Sequence, residues 1–264
     1  MVGGKLGLVV TTYNATRSCA SFSSWLEACQ SVFHSIAIVD DCSDDGSYEY
    51  LVSRLKDLVK VKFIRCDINS GRPSIPRNIG MKEISRVDRL VFLDVDDVLT
   101  KDYLAFLASP TVVLSQDVYS GVKVPSTTGL FDLNYQSDFS KERRISKAQL
   151  SRKNQVVFSG SSIPSRLISR HQFKNCPLED WLFWRDISSD SAFTGQIVRL
   201  LDVPVGYDVS PSLSPGKYKQ VARISKHLSG AQFFQYFAET FRLKAEESSI
   251  RRRIVRNHTP LNLP

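Results

Sequence analysis

The sequence predicts an α/β fold built on an open, mostly parallel central sheet with helices on both faces. Two observations predict it. Four short apolar runs, Leu6–Val10, Ile36–Val39, Val61–Ile64 and Leu90–Leu93, punctuate the first hundred residues without polar alternation. Strands covered on both faces read this way. The segments between them place apolar residues at helical spacing, and strand–helix–strand repeated three times predicts right-handed βαβ units.

Taken in order, Leu6–Val10 is the first strand, and Phe22, Leu26 and Cys29 mark the apolar face of the first helix. Ile36–Val39 is the second strand, followed by a helix marked by Tyr48, Leu51, Leu55 and Leu58. After Val61–Ile64 a third helix starts near Pro76, with Ser74 as its expected N-cap. Lys101–Ala108 reads as a further helix after Leu90–Leu93. Beyond it, Val112–Leu114, Val118–Val122, Val156–Phe158 and Val205–Val209 are strand candidates, and Thr127–Arg152 holds a loop or short helix. Leu178–Ile187 and Ala231–Ile254 are helical, and residues 213–229 have loop character.

The chain of 264 residues carries 42% hydrophobic and 23% charged residues, which excludes dominant disorder. No run approaches the ~18 apolar residues of a membrane span. The five cysteines are odd in number and have no C-x-x-C pair, which argues against a disulfide framework or structural zinc. No signal peptide is evident, and a cytoplasmic location follows as the expectation. The formal net charge is +8, which admits nucleic acid, an anionic membrane or a small polyanion as partner.

In an open α/β sheet, ligands bind at the carboxyl ends of the strands. Here those ends read Thr11-Thr12-Tyr13-Asn14, then Asp40 to Gly46, Asp67 to Arg72, and Asp94-Val95-Asp96-Asp97. Loop polarity and helix capping explain any one of them. They explain less well an acidic cluster on a chain of charge +8. Asp94, Asp96 and Asp97, just past a buried strand, have the hard oxygens that magnesium or manganese selects. A plain strand-end turn is the competing reading.

The motifs VVTTYN, IVDDCSDDGS, the run from Asn69 through Arg77-Asn78 to Gly80, and FLDVDD stand in the order and spacing of glycosyltransferase family 2. The chain resembles that family, the large inverting GT-A group, over residues 5–108. The likeness continues more weakly through Ser159–Ser162 to Leu178-Glu179-Asp180-Trp181. It implies a GT-A, Rossmann-like sheet with a helical C-terminal tail, and a metal-dependent inverting transferase. The donor would be a nucleotide-diphospho-sugar, a UDP-sugar first of all, and the cofactor Mn2+ or Mg2+. Thr11 and Tyr13 would lie at the nucleoside, Asp41 at the uracil edge, and Arg72 and Arg77 at the base and diphosphate. Asp94 would meet the ribose and Asp96 the metal, with Asp97 as an additional metal ligand. Asp180 would be the general base that takes the proton of the acceptor hydroxyl. Glu179 would orient it or bind acceptor. Read alone, Glu179 and Asp180 are two acids in a first helical turn.

Trp181 and Trp184 have i, i+3 spacing and read as core, with Trp181 also a candidate lining residue of the acceptor site. The segment Lys217–His227 carries four cations. The family resemblance implies that Arg223 and Ser225 close over the diphosphate there, and His227 is a candidate metal ligand. Arg242–Arg256 carries net +4, half the total, behind Phe233, Phe234, Phe237 and Phe241. It reads as an amphipathic membrane-surface helix, as a site for an anionic polymer, or as a helix docked through its Phe face. Residues 1–230 are expected to form one domain, with a nucleotide-sugar half (1–108) and an acceptor half (109–230), followed by a basic tail (231–264). The acceptor is expected to be a glycan, glycolipid or anionic polymer, with peripheral contact at the inner membrane face, and nucleic acid is disfavoured. Two alternatives compete. A sugar-1-phosphate nucleotidyltransferase would need a glycine-rich loop that TTYNATRS lacks, and a catalytically silent nucleotide-binding module, or a basic polyanion- or membrane-binding one, would not depend on Asp96 or Asp180.

Overall fold

The computed structural model describes residues 4–84, 86–125, 135–207 and 230–258. The strands are β1 (Leu6–Thr12), β2 (Ser35–Asp40), β3 (Val61–Arg65), β4 (Arg89–Asp94), β5 (Asp97–Leu99), β6 (Val118–Pro125), β7 (Glu142–Ile145), β8 (Ser162–Pro164) and β9 (Ile197–Tyr207). The helices are α1 (Thr16–Cys29), α2 (Ser47–Leu55), α3 (Ser74–Glu83), α4 (Lys101–Ala108), α5 (Pro110–Val113), α6 (Lys147–Arg152), α7 (Glu179–Ser189) and a C-terminal helix α8 (Gly230–His258). The sheet runs β3-β2-β1-β4-β8-β6-β9-β5, with β7 added beside β9. Its first half is parallel throughout, as expected, whereas β8, β5 and β7 pair antiparallel and make the second half mixed.

Both faces of the first half are covered. Leu8 and Val10 of β1 join Phe22, Leu26, Leu51, Leu55 and Tyr103 in one core, while Val9 joins Met81, Phe92, Phe183 and Trp184 in the other. Alternate side chains of one strand thus enter two cores, so the centre of β1 is apolar on both faces. Helix α3 sits close to β1 and β2 because Gly80 has no side chain: a Cβ there would lie 2.4 Å from Val9 Cγ1. Gly80→Ala is expected to force α3 off the sheet and destabilise the fold by about 1–3 kcal/mol, measured by urea denaturation.

Several local expectations are corrected. Val112–Leu114 is not a strand: Pro110 sets the first turn of α5, and Val112 and Val113 are buried there, so tertiary packing outweighs β-propensity. Val156–Phe158 is a buried loop without strand partners. The stretch expected as loop or short helix contains α6 but also β7. The late strand starts at Ile197 rather than Val205. Ser74 is the first residue of α3 and not its cap, which is Pro73. The C-terminal helix packs Ile250 and Ile254 against Val122, Val124 and Tyr135. Phe241 is 71% exposed and does not dock the helix, and the side chains of Phe233, Phe234 and Phe237 are not described. Among the described residues, no helix is long and apolar enough to cross a membrane.

Candidate active site

The strand order reverses between β1 and β4, and the carboxyl ends of these strands open a crevice where α/β sheets bind ligands. The two strands are in register with Thr11 opposite Asp94. The Thr11 hydroxyl donates to Asp94 Oδ1 at 2.8 Å. Tyr13 stands just beyond, half exposed. At the end of β2, Asp41 is buried and accepts from the Ser70 backbone N–H (3.0 Å) and hydroxyl (2.8 Å). Burial pushes its carboxyl up, while the Ser70 bonds oppose that and the neighbouring Asp40 adds to it. Arg72 follows in the same loop, half-buried.

Asp94, Asp96 and Asp97 bring one oxygen each within 4.8 Å of one another. Three hard carboxylate oxygens at this spacing fit Mn2+ or Mg2+. Their surroundings differ. Asp96 is exposed. Asp97 is buried on β5, and the Lys123 ammonium from β6 lies 3.1 Å from its Oδ2. Burial pushes the Asp97 carboxyl up to about 7 against the attraction of Lys123, with Asp94 and Asp96 adding to the rise. Burial also acts to raise Asp94, but Arg77, Lys123 and the Thr11 hydroxyl outweigh it and hold the carboxyl below its ordinary value.

Arg77 of α3 is 5% exposed. Its Nη2 lies 3.3 Å from Asp94 Oδ1 and its Nη1 3.1 Å from Glu179 Oε1. The guanidinium lies 3.4 Å from the centroid of the Phe158 ring, a cation–π contact. Arg77 joins the acidic strand end to the first turn of α7. That turn begins in strain, because Leu178 has φ 64°. The left-handed region costs a branched side chain about 1–2 kcal/mol. It places Glu179 and Asp180 at the helix N-terminus, where the dipole favours anions.

Asp180 Oδ1 accepts from the Trp181 backbone N–H, and Oδ2 from Asn154 Nδ2, each at 2.8 Å. Burial pushes its carboxyl up, partly offset by Arg77. Glu179 is raised for the same first reason. Trp181 is 3% exposed and its indole donates to the Leu150 carbonyl, so it stands in the core and not on an open acceptor platform. Arg223, Ser225 and His227 lie outside the described residues. Two contributors escaped the sequence reading, Lys123 and Asn154, and Ser159, given there only as part of the family likeness, accepts from Asp94 N at 3.1 Å. A lysine between two valines of a strand was the one available signal, for Lys123.

Comparisons with known proteins find similar chains and similar folds. TarP of Staphylococcus aureus, a poly(ribitol-phosphate) beta-N-acetylglucosaminyltransferase, is 34% identical over 98 residues, 36% of this chain and 29% of that protein. TarS of the same species, with the same activity in its name, is 28% identical over 102 residues, 38% of this chain and 18% of TarS. The matched stretch is therefore less than a third of either relative. In structure, TarS 1–349 in complex with UDP-GlcNAc superposes with TM-score 0.61 at 20% identity, covering 88% of this chain and 71% of that one. GalNAc-T7 with UDP, GalNAc and Mn2+ gives 0.55 at 12% identity, covering 84% and 48%. These two structures share the fold. The Glycosyl transferase family 2 model matches residues 8–171, a span that starts in β1 and contains the β1–β4 crevice, Arg77 and the three aspartates. On that match the chain belongs to glycosyl transferase family 2, with the GT-A fold of these neighbours.

Proposed function

We propose that this protein transfers a sugar from a UDP-sugar to a hydroxyl of a polyol-phosphate polymer, with inversion at the anomeric carbon. One observation carries the reading. Arg77 ties Asp94, next to the acidic triad, to Glu179, next to Asp180, although the two motifs are far apart in sequence. The tie sets a donor side and an acceptor side against each other. The poly(ribitol-phosphate) activity named for TarS and TarP, and the UDP-GlcNAc held by TarS, support the choice of acceptor and donor.

In this reading Tyr13 packs beside the base, Asp41 meets the uracil edge, and Thr11 and Asp94 hold the ribose side. Arg72 lies toward the diphosphate. Asp94 and Asp96 would hold Mn2+ or Mg2+, with Asp97 beneath them compensated by Lys123. The cation, when bound, stabilises negative charge on the departing diphosphate. Asp180 accepts the proton of the attacking hydroxyl, and the raised affinity for protons that burial confers suits a base. Residues 1–108 serve the donor and 109–230 the acceptor, while the exposed cations of the C-terminal helix face an anionic polymer or membrane surface at the cytoplasmic side.

The test is release of nucleoside diphosphate from a panel of nucleotide sugars with Mn2+ and poly(ribitol phosphate). Turnover with a UDP-sugar is expected. No turnover, and no thermal stabilisation by any nucleoside diphosphate, would overturn the reading in favour of a silent binding module. Asp96→Ala is expected to weaken Mn2+-dependent UDP binding by about tenfold or more, read by calorimetry with and without Mn2+.

A further inference from the structure

We propose that Asn154 is a positioning residue for Asp180, orienting its carboxylate toward the acceptor through one N–H···O bond. The inference rests on the assignment of Asp180 as base. Asn154 lies in the loop that follows α6, and its side chain is used at both ends. Its Oδ1 accepts from the Val156 backbone N–H at 3.0 Å. This bond decides which end of the amide is oxygen, so the other end must be the NH2 that faces Asp180. Nδ2 then donates to Asp180 Oδ2 at 2.8 Å.

The loop itself is anchored. Val156 and Phe158 are buried behind it, the Lys153 backbone N–H closes α6 on Gln149, and the Lys153 ammonium is turned to Thr240 of the C-terminal helix. The Trp181 indole bonds the Leu150 carbonyl. Helices α6 and α7 are therefore held together without Asn154, and its bond to Asp180 is not needed for packing.

The chemistry of the bond follows from its partners. Asp180 receives one N–H on each oxygen, from Trp181 and Asn154. With both oxygens pinned, the carboxylate cannot rotate about its own axis. A neutral donor also favours the charged form, which is the form that takes a proton. Other groups act on the same carboxylate. Arg77 from α3 favours its charged form, whereas Asp94 from β4 disfavours it, as does Glu179 beside it on α7. Asn154 joins Arg77 against burial.

The test compares Asn154→Ala and Asn154→Asp with the parent, reading the pH profile of UDP release from UDP-GlcNAc with Mn2+ and poly(ribitol phosphate). Asn154→Ala removes one donor to a charged group, so the acid limb of kcat is expected to move to higher pH by about one unit. Below that limb kcat falls about tenfold. Asn154→Asp keeps an oxygen for Val156 N–H and hence the loop. It sets a second carboxylate against Asp180, and its limb moves further than that of the alanine variant. UDP affinity and donor KM are expected to stay at the parent values in both. An acid limb unmoved in the folded Asn154→Asp protein would overturn the proposal, as would a loss of rate matched by a loss of UDP affinity. A fully active Asp180→Asn would instead remove the base assignment itself, so the two failures are distinct.

Discussion

Asp180→Asn is expected to lower kcat for transfer by about 10²–10⁴-fold while leaving UDP affinity at the parent value. The carboxylate is replaced by a neutral amide of the same shape, so the substitution removes proton acceptance and little else. Stability gives an independent check, and its sign follows from burial. Burial raises the Asp180 carboxyl above its ordinary value. The folded state therefore holds its proton more tightly than the unfolded chain does. Stability therefore falls as pH rises from the unfolded chain's value to the folded one, and a neutral amide suffers no such loss. Avoiding that loss offsets the hydrogen bond that an amide gives up. A melting temperature within a few degrees of the parent is expected at neutral pH. An unchanged rate would show that another group takes the proton.

Arg77→Met is expected to do the opposite, harming stability first. The guanidinium compensates Asp94 and Glu179 and stacks on Phe158. Methionine keeps much of the volume but strands two carboxylates. Breaking a buried pair costs 3–5 kcal/mol, and the one-third exposure of Asp94 puts the expected loss at the lower end, about 3 kcal/mol. For a chain of this size that is a fall of roughly 6–10 °C in melting temperature, measured by calorimetry. Arg77→Lys is expected not to restore it, because one ammonium cannot make the two-pronged contact or the stacking. UDP release should fall with both variants. A variant as stable as the parent would mean that Arg77 does not hold the two sides together.

Why the sequence showed one half of the molecule better than the other has a physical reason. Strands β1, β2 and β4 are buried on both faces, so their centres are continuous apolar runs that end where the core ends, while β3 at the sheet edge carries the exposed Lys62 and Arg65. The same boundary exposes the polar strand-end loops, and the candidates Thr11, Asp41, Asp94 and Asp96 stand in or beside them. Strands β5, β7 and β8 are only three or four residues long. They exist because β4, β6 and β9 lie beside them, and nothing local announces them. The site followed the same division. Asp97 is legible as a candidate metal ligand, but the Lys123 beside it is not, because only the pairing of β5 and β6 with β9 brings the two together. The contacts of Arg77 with Phe158 and Glu179 were not legible, because its motif says nothing about residues so far along the chain. Asn154 depends on the path of a loop, and no pattern in its neighbourhood points to Asp180.

The C-terminal helix has a consequence for handling the protein. Arg199 on β9 is 2% exposed, and its guanidinium meets Glu247 of that helix at 2.7 Å. A chain cut before Gly230 would retain every motif residue from Thr11 to Asp180. It would also leave a buried cation with no counterion and uncover Val122 and Val124. Such a fragment would be expected to aggregate or melt early, and its silence in an assay would report lost folding rather than lost chemistry. The shortest piece that contains the reaction is not the shortest piece that can carry it out.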